Sequence, residues 1–369
     1  MQILLTGAAG FIGKNLQLRL QELGHKVLPY LRGDTDELLR TQLKTADVVI
    51  HLAGENRPVA PQGFIAGNID LTARLCAMIK TLGRPLPIVF SSSAQATLDN
   101  PYGQSKLAAE GLIAECATAT GGRARVYRLP GVFGKWCKPN YNSVVATFCH
   151  NIARDLPIQI RDPAAPVRLV YVDDLVTELI EAALHGPAGY SEGSVQPEYL
   201  LTLGELVERI TAFRDSRKNL TTDRVGAGLI RALYSTYVSY LPPERFVYDL
   251  PCHSDERGVF VEMLKTPDCG QFSFFTARPG VTRGGHYHHA KTEKFLVVRG
   301  QARFGFRHVL TGETLHLDVS GESPRVVETV PGWTHDITNI GQEEMLVMLW
   351  ANEIFDRERP DTIASKVRQ

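Results

Sequence analysis

The apolar positions of this 369-residue chain follow two regimes, and the change comes near Leu241-Pro-Pro-Glu244. Before it, short apolar runs alternate with helix-length stretches. Gln2–Thr6 reads as a strand, breaks at Gly7-Ala-Ala-Gly10-Phe-Ile-Gly13, and resumes as a helix to about Leu23. Lys26–Leu31 reads as a second strand, followed by a helical stretch to about Thr45. Asp47-Val-Val-Ile-His-Leu-Ala-Gly54 and Ile88-Val-Phe-Ser91-Ser92-Ser93 read as buried parallel strands, because an unbroken apolar run fits a sheet covered on both faces. Tyr102 opens a helix that runs to about Ala117. Beyond the prolines the runs shorten, at Val259–Leu264, Gln271–Ala277, Phe295–Val298, Ala302–Arg307, Thr314–Val319 and Met345–Leu349, with turn signals between them. This is the pattern of a small all-β sandwich or barrel. The expected division is an α/β domain over 1–243 and an all-β domain over 244–369, a length sufficient for two cores.

Composition narrows the class. Forty basic residues balance forty acidic ones, so the charge count calls for neither nucleic acid nor an anionic membrane. The six cysteines (Cys76, Cys116, Cys137, Cys149, Cys252, Cys269) form no C-x-x-C pair and read as reduced thiols of a cytoplasmic chain. The opening MQILLTGAAG meets glycine too soon for a secretory signal, and no apolar run is long enough to span a bilayer.

The first turn carries candidate chemistry. A strand, a glycine-rich turn and a helix N-terminus together make a phosphate site from backbone N–H groups and the helix dipole. Gly7 permits the tight turn, Gly10 the approach of a pyrophosphate, and Gly13 the packing of helix on strand. At the end of the second strand stands Arg32, where a free ribose 2′-hydroxyl would call for an acidic residue. An arginine suits a 2′-phosphate, so NADPH is the expected cofactor.

Hydroxyls at the end of the Ile88–Ser93 strand lie where open α/β sheets bind ligands. Tyr102 and Lys106 follow four apart, on one helix face. A phenol with its ordinary pKa near ~10 is a weak acid at neutral pH, and a cation beside it lowers that value. Proton donor, tuning cation and a serine on the carbonyl are what hydride delivery to a ketone needs.

These residues resemble the extended short-chain dehydrogenase/reductase family. The match runs through T-G-A-A-G-F-I-G, H-L-A-G at 51–54, S-S-S at 91–93, P-Y-G-Q-S-K at 101–106, R-L-P-G-V-F-G at 128–134 and Y-V-D-D at 171–174, over about residues 1–240. The resemblance implies a Rossmann-type doubly wound parallel sheet and a nucleotide-sugar held by its C-terminal portion. It carries catalysis to Ser93, Tyr102 and Lys106, and cofactor contacts to Gly7, Gly10, Phe11, Ile12, Gly13, Leu52, Ala53, Gly54, Tyr102 and Lys106. Two departures stand out. There is hardly room for the extra strand usual before Asp47, and only eight residues separate Ser93 from Tyr102, which leaves Ser92 and Ser93 as rivals. In the loop Trp136-Cys-Lys-Pro-Asn-Tyr-Asn-Ser143, Lys138 suits a phosphate and Asn140 and Asn142 suit sugar hydroxyls; Arg168 is a second diphosphate candidate.

In the second domain, His286 and His288 alternate along a strand, Glu293 follows a turn, and His335 arrives from a distant strand pair. Three imidazoles and a carboxylate suit a divalent metal, zinc foremost, although donor type alone leaves iron, manganese, nickel and copper open. With Gly280, Gly300, Pro331-Gly332 and Asn339 in step, these residues resemble the cupin superfamily, which implies a jelly roll. Asp255-Glu-Arg-Gly-Val-Phe260 with Arg283-Gly-Gly-His286-Tyr also resembles metal-free cupins that epimerise 4-keto sugar nucleotides, in which the histidine matching His286 is the base.

A ketone joins both halves, since a carbonyl acidifies the neighbouring C–H and is itself the group a reductase consumes. The whole chain resembles the bifunctional reductases of bacterial capsule and O-antigen synthesis, through W-C-K-P-N-Y-N-S-V at 136–144 and H-Y-H-H…E-K-F-L-V-V at 286–298. That resemblance implies C3 epimerisation of a UDP-4-keto-6-deoxy-N-acetylhexosamine and C4 reduction, toward UDP-N-acetyl-L-fucosamine, by a homodimer. The competing expectations are an NAD-retaining 4-epimerase or dehydratase, an oxygenase in the cupin, and an NADP-sensing regulator whose cupin only binds ligand.

Overall fold

In a computed structural model, which describes residues 1–255, 258–261, 263, 264, 266, 270–353 and 358–368, the chain forms two compact units. One gathers Met1–Val132 and Arg168–Leu200; the other gathers Phe133–Val167 and Leu201–Gln369. Glu256 and Arg257 of the D-E-R-G-V-F segment, and Cys269, lie outside the described residues.

The first unit contains β1 (Gln2–Thr6), α1 (Phe11–Glu22), β2 (Lys26–Tyr30), α2 (Asp36–Thr45) and β3 (Val48–His51). A short α3 (Gln62–Phe64) leads through a π-helical turn, Ile65–Asp70, into α4 (Leu71–Lys80). Then come β4 (Ile88–Ser93), α5 (Pro101–Thr120) and β5 (Ala124–Leu129). The chain continues through β6 (Gly131–Phe133), α6 (Val144–Ile152), β7 (Pro166–Tyr171), α7 (Val172–His185), β8 (Tyr190–Gly193) and β9 (Glu198–Thr202). Six parallel strands form a sheet in the order β2-β1-β3-β4-β5-β8. Ile3, Leu4, Val48, Ile50, Val89 and Val126 in its middle are fully buried, as the unbroken apolar runs required. Among the described residues only β2 lies outside β1, in keeping with the short β2–β3 segment. Strand order reverses between β1 and β3, the crevice where such sheets bind ligands.

The second unit begins with α6 and adds α8 (Leu203–Asn219) and α9 (Gly228–Ser239). Its strands are β10 (Val247–Asp249), β11 (Cys252–Asp255), β12 (Gly258–Val261), β13 (Gln271–Ala277), β14 (Thr282–Tyr287), β15 (Glu293–Arg299), β16 (Gln301–His308), β17 (Thr314–Ser320), β18 (Arg325–Glu328), β19 (Trp333–Asn339), β20 (Met345–Ala351) and β21 (Ile363–Ala364). Two antiparallel five-stranded sheets, β10-β18-β15-β20-β13 and β17-β16-β19-β14-β21, make the sandwich of a cupin. Edge-on aromatics fill it: Phe246 against Trp333 at 5.2 Å and Phe295 against Phe304 at 5.5 Å between ring centroids.

Candidate active site and metal centre

Gly7 stands at φ +72°, and a Cβ there would meet the Ala53 nitrogen at 2.7 Å, so only glycine lets this turn pass the end of β3. A Cβ on Gly13 would fall 2.1 Å from the Gly7 carbonyl, which is why α1 can dock against the turn. Gly10 caps α1 without a side-chain partner, leaving the first N–H groups of the helix to face the cleft. That cleft holds about 570 Å³ and is lined by Gly7, Gly10, Arg32, Leu52, Ala53 and Gly54, among others. Phe11, Ile12 and Gly13 are outside its lining, on the first turn of α1. His51 is structural: its Nδ1 meets Thr6 Oγ1 at 2.6 Å and its Nε2 meets Thr72 Oγ1 at 2.9 Å. Burial depresses its pKa to about 3, so it stays neutral. Thr6 Oγ1 also accepts from the Ala53 N–H at 3.1 Å, fixing the Leu52–Gly54 wall.

Arg32 reaches the cleft, with its guanidinium 2.8 Å from Glu55, whose carboxyl it holds below the ordinary value. A second arginine, Arg74 on α4, lines the same end and lies 3.5 Å from Asp36. Arg74 escaped the sequence reading because one charged residue on a helix carries no positional signal.

Ser93 and Tyr102 are joined through a tight turn. Ser93 caps the 3₁₀ turn Ala94–Thr97 by accepting from the Gln95 N–H at 3.1 Å. Asn100 then caps α5 by accepting from Gly103 N–H at 2.8 Å, with Pro101 pre-set in the first helical position. The eight intervening residues therefore bring the Tyr102 phenol into a hydrogen bond with the Ser93 hydroxyl. Ser92 instead donates to Glu110, which is also gripped by Arg128 at 2.7 Å.

Lys106 is buried and donates to the Ser91 carbonyl at 2.6 Å, with its ammonium 4.5 Å from the Phe90 ring centroid. A Cβ placed on Gly54, in the cleft wall, would stand 3.6 Å from Lys106 Nζ, so cleft and catalytic group adjoin. Burial lowers the Lys106 pKa to about 8, against an opposing pull from Glu110. The net shift of the phenol runs opposite to the expectation: burial raises Tyr102, and the Ser93 hydrogen bond only partly offsets it. The ammonium is engaged with Ser91 and Phe90, and the phenol stays protonated, as a proton donor must.

The proposed sugar-binding residues are less concentrated. Lys138 lies over the Tyr141 ring at 5.2 Å. Asn140 sits at φ +53° and donates its N–H to Thr147 Oγ1 at 3.0 Å, and Asn142 is exposed. Arg168 is ion-paired with Glu198.

In the cupin, His286 on β14 pairs in register with His335 on β19, and their ring centroids are 4.7 Å apart. His288 falls just past β14, after a bulge at Gly284–His286 with Gly284 and Gly285 at positive φ, and its ring is 5.0 Å from that of His286. Glu293 opens β15 on the facing sheet and reaches His288 at 3.1 Å and His335 at 3.4 Å. One ligand atom from each of the four lies within 4.8 Å of the rest.

These residues fit a metal on two counts. Neither ring nitrogen of buried His335 makes a hydrogen bond of good geometry, although its Nε2 stands 3.4 Å from Glu293. His288 Nδ1 faces the carbonyl of Asp361, which only accepts, so the hydrogen is on Nδ1. His288 Nε2 at 3.1 Å and His335 Nε2 at 3.4 Å converge on one Glu293 oxygen, a donor set that a cation between them would satisfy. Burial would raise the Glu293 carboxyl, but the two imidazoles outweigh it and hold the pKa well below the usual range. Burial, with His335 and His288 beside it, lowers His286 to about 3. Lys291 takes the other Glu293 oxygen at 2.9 Å.

A Rossmann-type cleft backed by serine, tyrosine and lysine, followed by a cupin, defines a nicotinamide-dependent enzyme acting on sugars. Residues 3–193 match the family model described as NAD dependent epimerase/dehydratase family, and residues 253–363 match that of the polysaccharide biosynthesis C-terminal domain. The chain belongs to the NAD-dependent epimerase/dehydratase family. Over 368 residues it is 54% identical to the UDP-2-acetamido-2,6-beta-L-arabino-hexul-4-ose reductase of Pseudomonas aeruginosa, covering 100% of this chain and 99% of that one. The crystal structure of the capsular polysaccharide assembling protein CapF from Staphylococcus aureus is similar with a TM-score of 0.68 and 42% identity, covering 99% of this chain and 100% of CapF. The GDP-6-deoxy-D-mannose reductase of P. aeruginosa is 28% identical over 57% of this chain and 80% of its own length. Among the described residues, no helix is long and apolar enough to cross a membrane.

Proposed function

We propose that this chain is a bifunctional, cytoplasmic nucleotide-sugar enzyme. The cupin inverts C3 of a UDP-4-keto-6-deoxy-N-acetylhexosamine, and the α/β domain reduces the C4 ketone with NADPH. The product is a UDP-N-acetyl-6-deoxy-L-talosamine on the route to UDP-N-acetyl-L-fucosamine. The observation that carries the reductase half is the Ser93–Tyr102 hydrogen bond with Lys106 at the cleft wall. The name of the P. aeruginosa relative supports the same ketone as substrate.

When bound, NADPH supplies the hydride. Ser93 hydrogen-bonds the C4 oxygen and Tyr102, kept protonated by burial, gives its proton as the alkoxide develops. Lys106 holds the positive charge that steadies the phenolate left behind. Arg32 and Arg74 receive the 2′-phosphate, and Lys138, Asn140, Asn142 and Arg168 serve the UDP-sugar, Arg168 by exchanging its Glu198 partner for phosphate.

In the cupin, His286, His288, Glu293 and His335 would hold a divalent metal, zinc foremost for three nitrogens and one carboxylate. Such an ion would supply Lewis acidity toward a ketone oxygen, and the imidazoles and Glu293 would fix its place. The division of labour is drawn at residues 1–243 and 244–369, and two copies associate as a homodimer through exposed cupin strand edges.

The test is incubation with the UDP-4-keto-6-deoxy-N-acetylhexosamine in D₂O, with and without NADPH, read by NMR. Deuterium at C3 without NADPH, and a reduced sugar with it, is the expected result. Reduction without deuterium removes the cupin from the chemistry. No turnover, with ligand bound, turns the reading to a sensor.

A further inference from the structure

The last stretch of the chain is folded around the imidazole cluster, and Asp361 is its anchor. Three consecutive N–H groups, of His289, Ala290 and Lys291, donate to the Asp361 carboxylate at 2.8, 2.7 and 2.7 Å. The Asp361 backbone carbonyl accepts from His288 Nδ1. One residue thus holds the His288 ring by its main chain and the loop that carries it by its side chain.

The residues that follow touch two of the three strands that bear ligands. Ala364 pairs with His286 and Ile363 with Tyr287 across β14 and β21. Ser365 donates its N–H to the Gly285 carbonyl at 2.9 Å, and its hydroxyl lies 2.9 Å from that of Thr334, the neighbour of His335.

We propose that Asp361 is a positioning residue of the metal centre, and that the strap Asp361–Ser365 sets the ligand geometry without contributing a ligand. The physical reason is that a metal binds tightly only where its donors are already aimed. The hydrogen bond from His288 Nδ1 to the Asp361 carbonyl fixes the ring so that Nε2 points into the cluster toward Glu293, and partners of this kind affect affinity by about 10–100-fold. A carboxylate that accepts three backbone donors makes the ligand loop rigid, whereas an alanine leaves three N–H groups and a mobile ring. The inference rests on the metal reading of the cupin.

The experiment is a Co²⁺ titration of the full-length, metal-stripped protein, wild type against Asp361→Ala and Asp361→Asn. Both affinity and the visible ligand-field spectrum are recorded. The wild type takes up one Co²⁺ per chain. Asp361→Ala binds about 10–100-fold more weakly, with an altered spectrum, and Asp361→Asn, which keeps an acceptor oxygen, recovers part of the loss. NADPH binding, which depends on the other unit, is the control for folding and is unchanged. Wild-type affinity and spectrum in Asp361→Ala overturn the inference and leave the metal reading standing. If Asp361→Ala does not fold, Asp361→Asn decides alone, and a wild-type titration for it is equally fatal. A wild-type protein that takes up no Co²⁺ removes the metal reading and this inference together.

Discussion

Ser92 donates its hydroxyl to Glu110, whereas its neighbour Ser93 meets Tyr102. Adjacent residues on a strand face opposite ways, so two serines that look alike in sequence have different tasks. Replacing Ser93 by alanine removes a donor to the developing alkoxide and lowers kcat by about 10²–10³-fold. Replacing Ser92 leaves a buried carboxylate short of one hydrogen bond and costs about 1–3 kcal/mol of stability, with kcat little changed. Rates of NADPH oxidation beside urea unfolding of the two variants separate these outcomes. Reversed effects would mean that Ser92 faces the substrate.

The pH profile tests the charge on Lys106. The Tyr102 phenol is raised above its ordinary value and stays protonated, so an alkaline limb near pH 8 belongs to Lys106, which burial lowers to about 8. Reduction should fall about tenfold per pH unit above that point. Stability moves the other way. Between about 8 and the unfolded value near ~10.4, the unfolded chain binds the extra proton, so the Lys106 contribution to stability rises with pH. Comparing the wild type with Lys106→Met in melts from pH 7 to 10 isolates that term. Glu110 pulls the Lys106 pKa upward, so Glu110→Gln should shift the alkaline limb to lower pH. An unmoved limb in Glu110→Gln would sink the assignment.

Cofactor choice gives a third test. Arg32 and Arg74 line the same end of the cleft, each beside a carboxylate that a 2′-phosphate can displace. A charge-assisted hydrogen bond is worth about 1.5–3 kcal/mol. Arg32→Ala and Arg74→Ala should therefore each raise KM for NADPH about 10–100-fold and leave that for NADH nearly unchanged. Equal losses for both cofactors would show that the arginines serve the adenine or the fold, not the phosphate.

What could be read in advance depended on local physics. The β1 turn, the buried strands and the Tyr102 helix announce themselves through apolar runs, glycines and Asn100-Pro101, all short-range signals. In the cupin, β13, β16, β17 and β20 were legible because bulky residues mark them, whereas β14 and β19 were noticed only for their histidines. Gly284 and Gly285 adopt positive φ and interrupt the alternation, which is also why His288 lies past the strand end yet meets His286. Arg74, Glu110, Lys291 and Asp361 were not singled out. Their roles depend on partners that the fold supplies, such as Asp361 reaching His289 from 72 residues away. The Tyr102 phenol is raised rather than lowered for the same reason, since helical spacing sets a face but not how deeply that face is buried.

The metal can be separated from mere hydrogen bonding at His335. A cluster held by hydrogen bonds alone would give the buried His335 nitrogens well-formed partners, whereas its only close approach to a carboxylate is Nε2 to Glu293 at 3.4 Å, without good hydrogen-bond geometry. His335→Leu replaces two unsatisfied polar atoms with an apolar group of similar volume, so the metal-free variant should match or exceed the metal-free wild type within about 1 kcal/mol. With metal the order inverts. A ligand at a hundred times its Kd stabilises the protein that binds it by about 2.7 kcal/mol, and the variant, left with three donors, gains much less. Thermal melts of both proteins after chelation, and after adding back zinc, provide the four values needed. The D₂O experiment adds the chemistry: deuterium at C3 should vanish in His335→Leu and persist in Tyr102→Phe, which fails only in NADPH oxidation. If zinc shifts neither melt, the four residues are a hydrogen-bonded cluster, and the base for C3 must be sought in His286 alone.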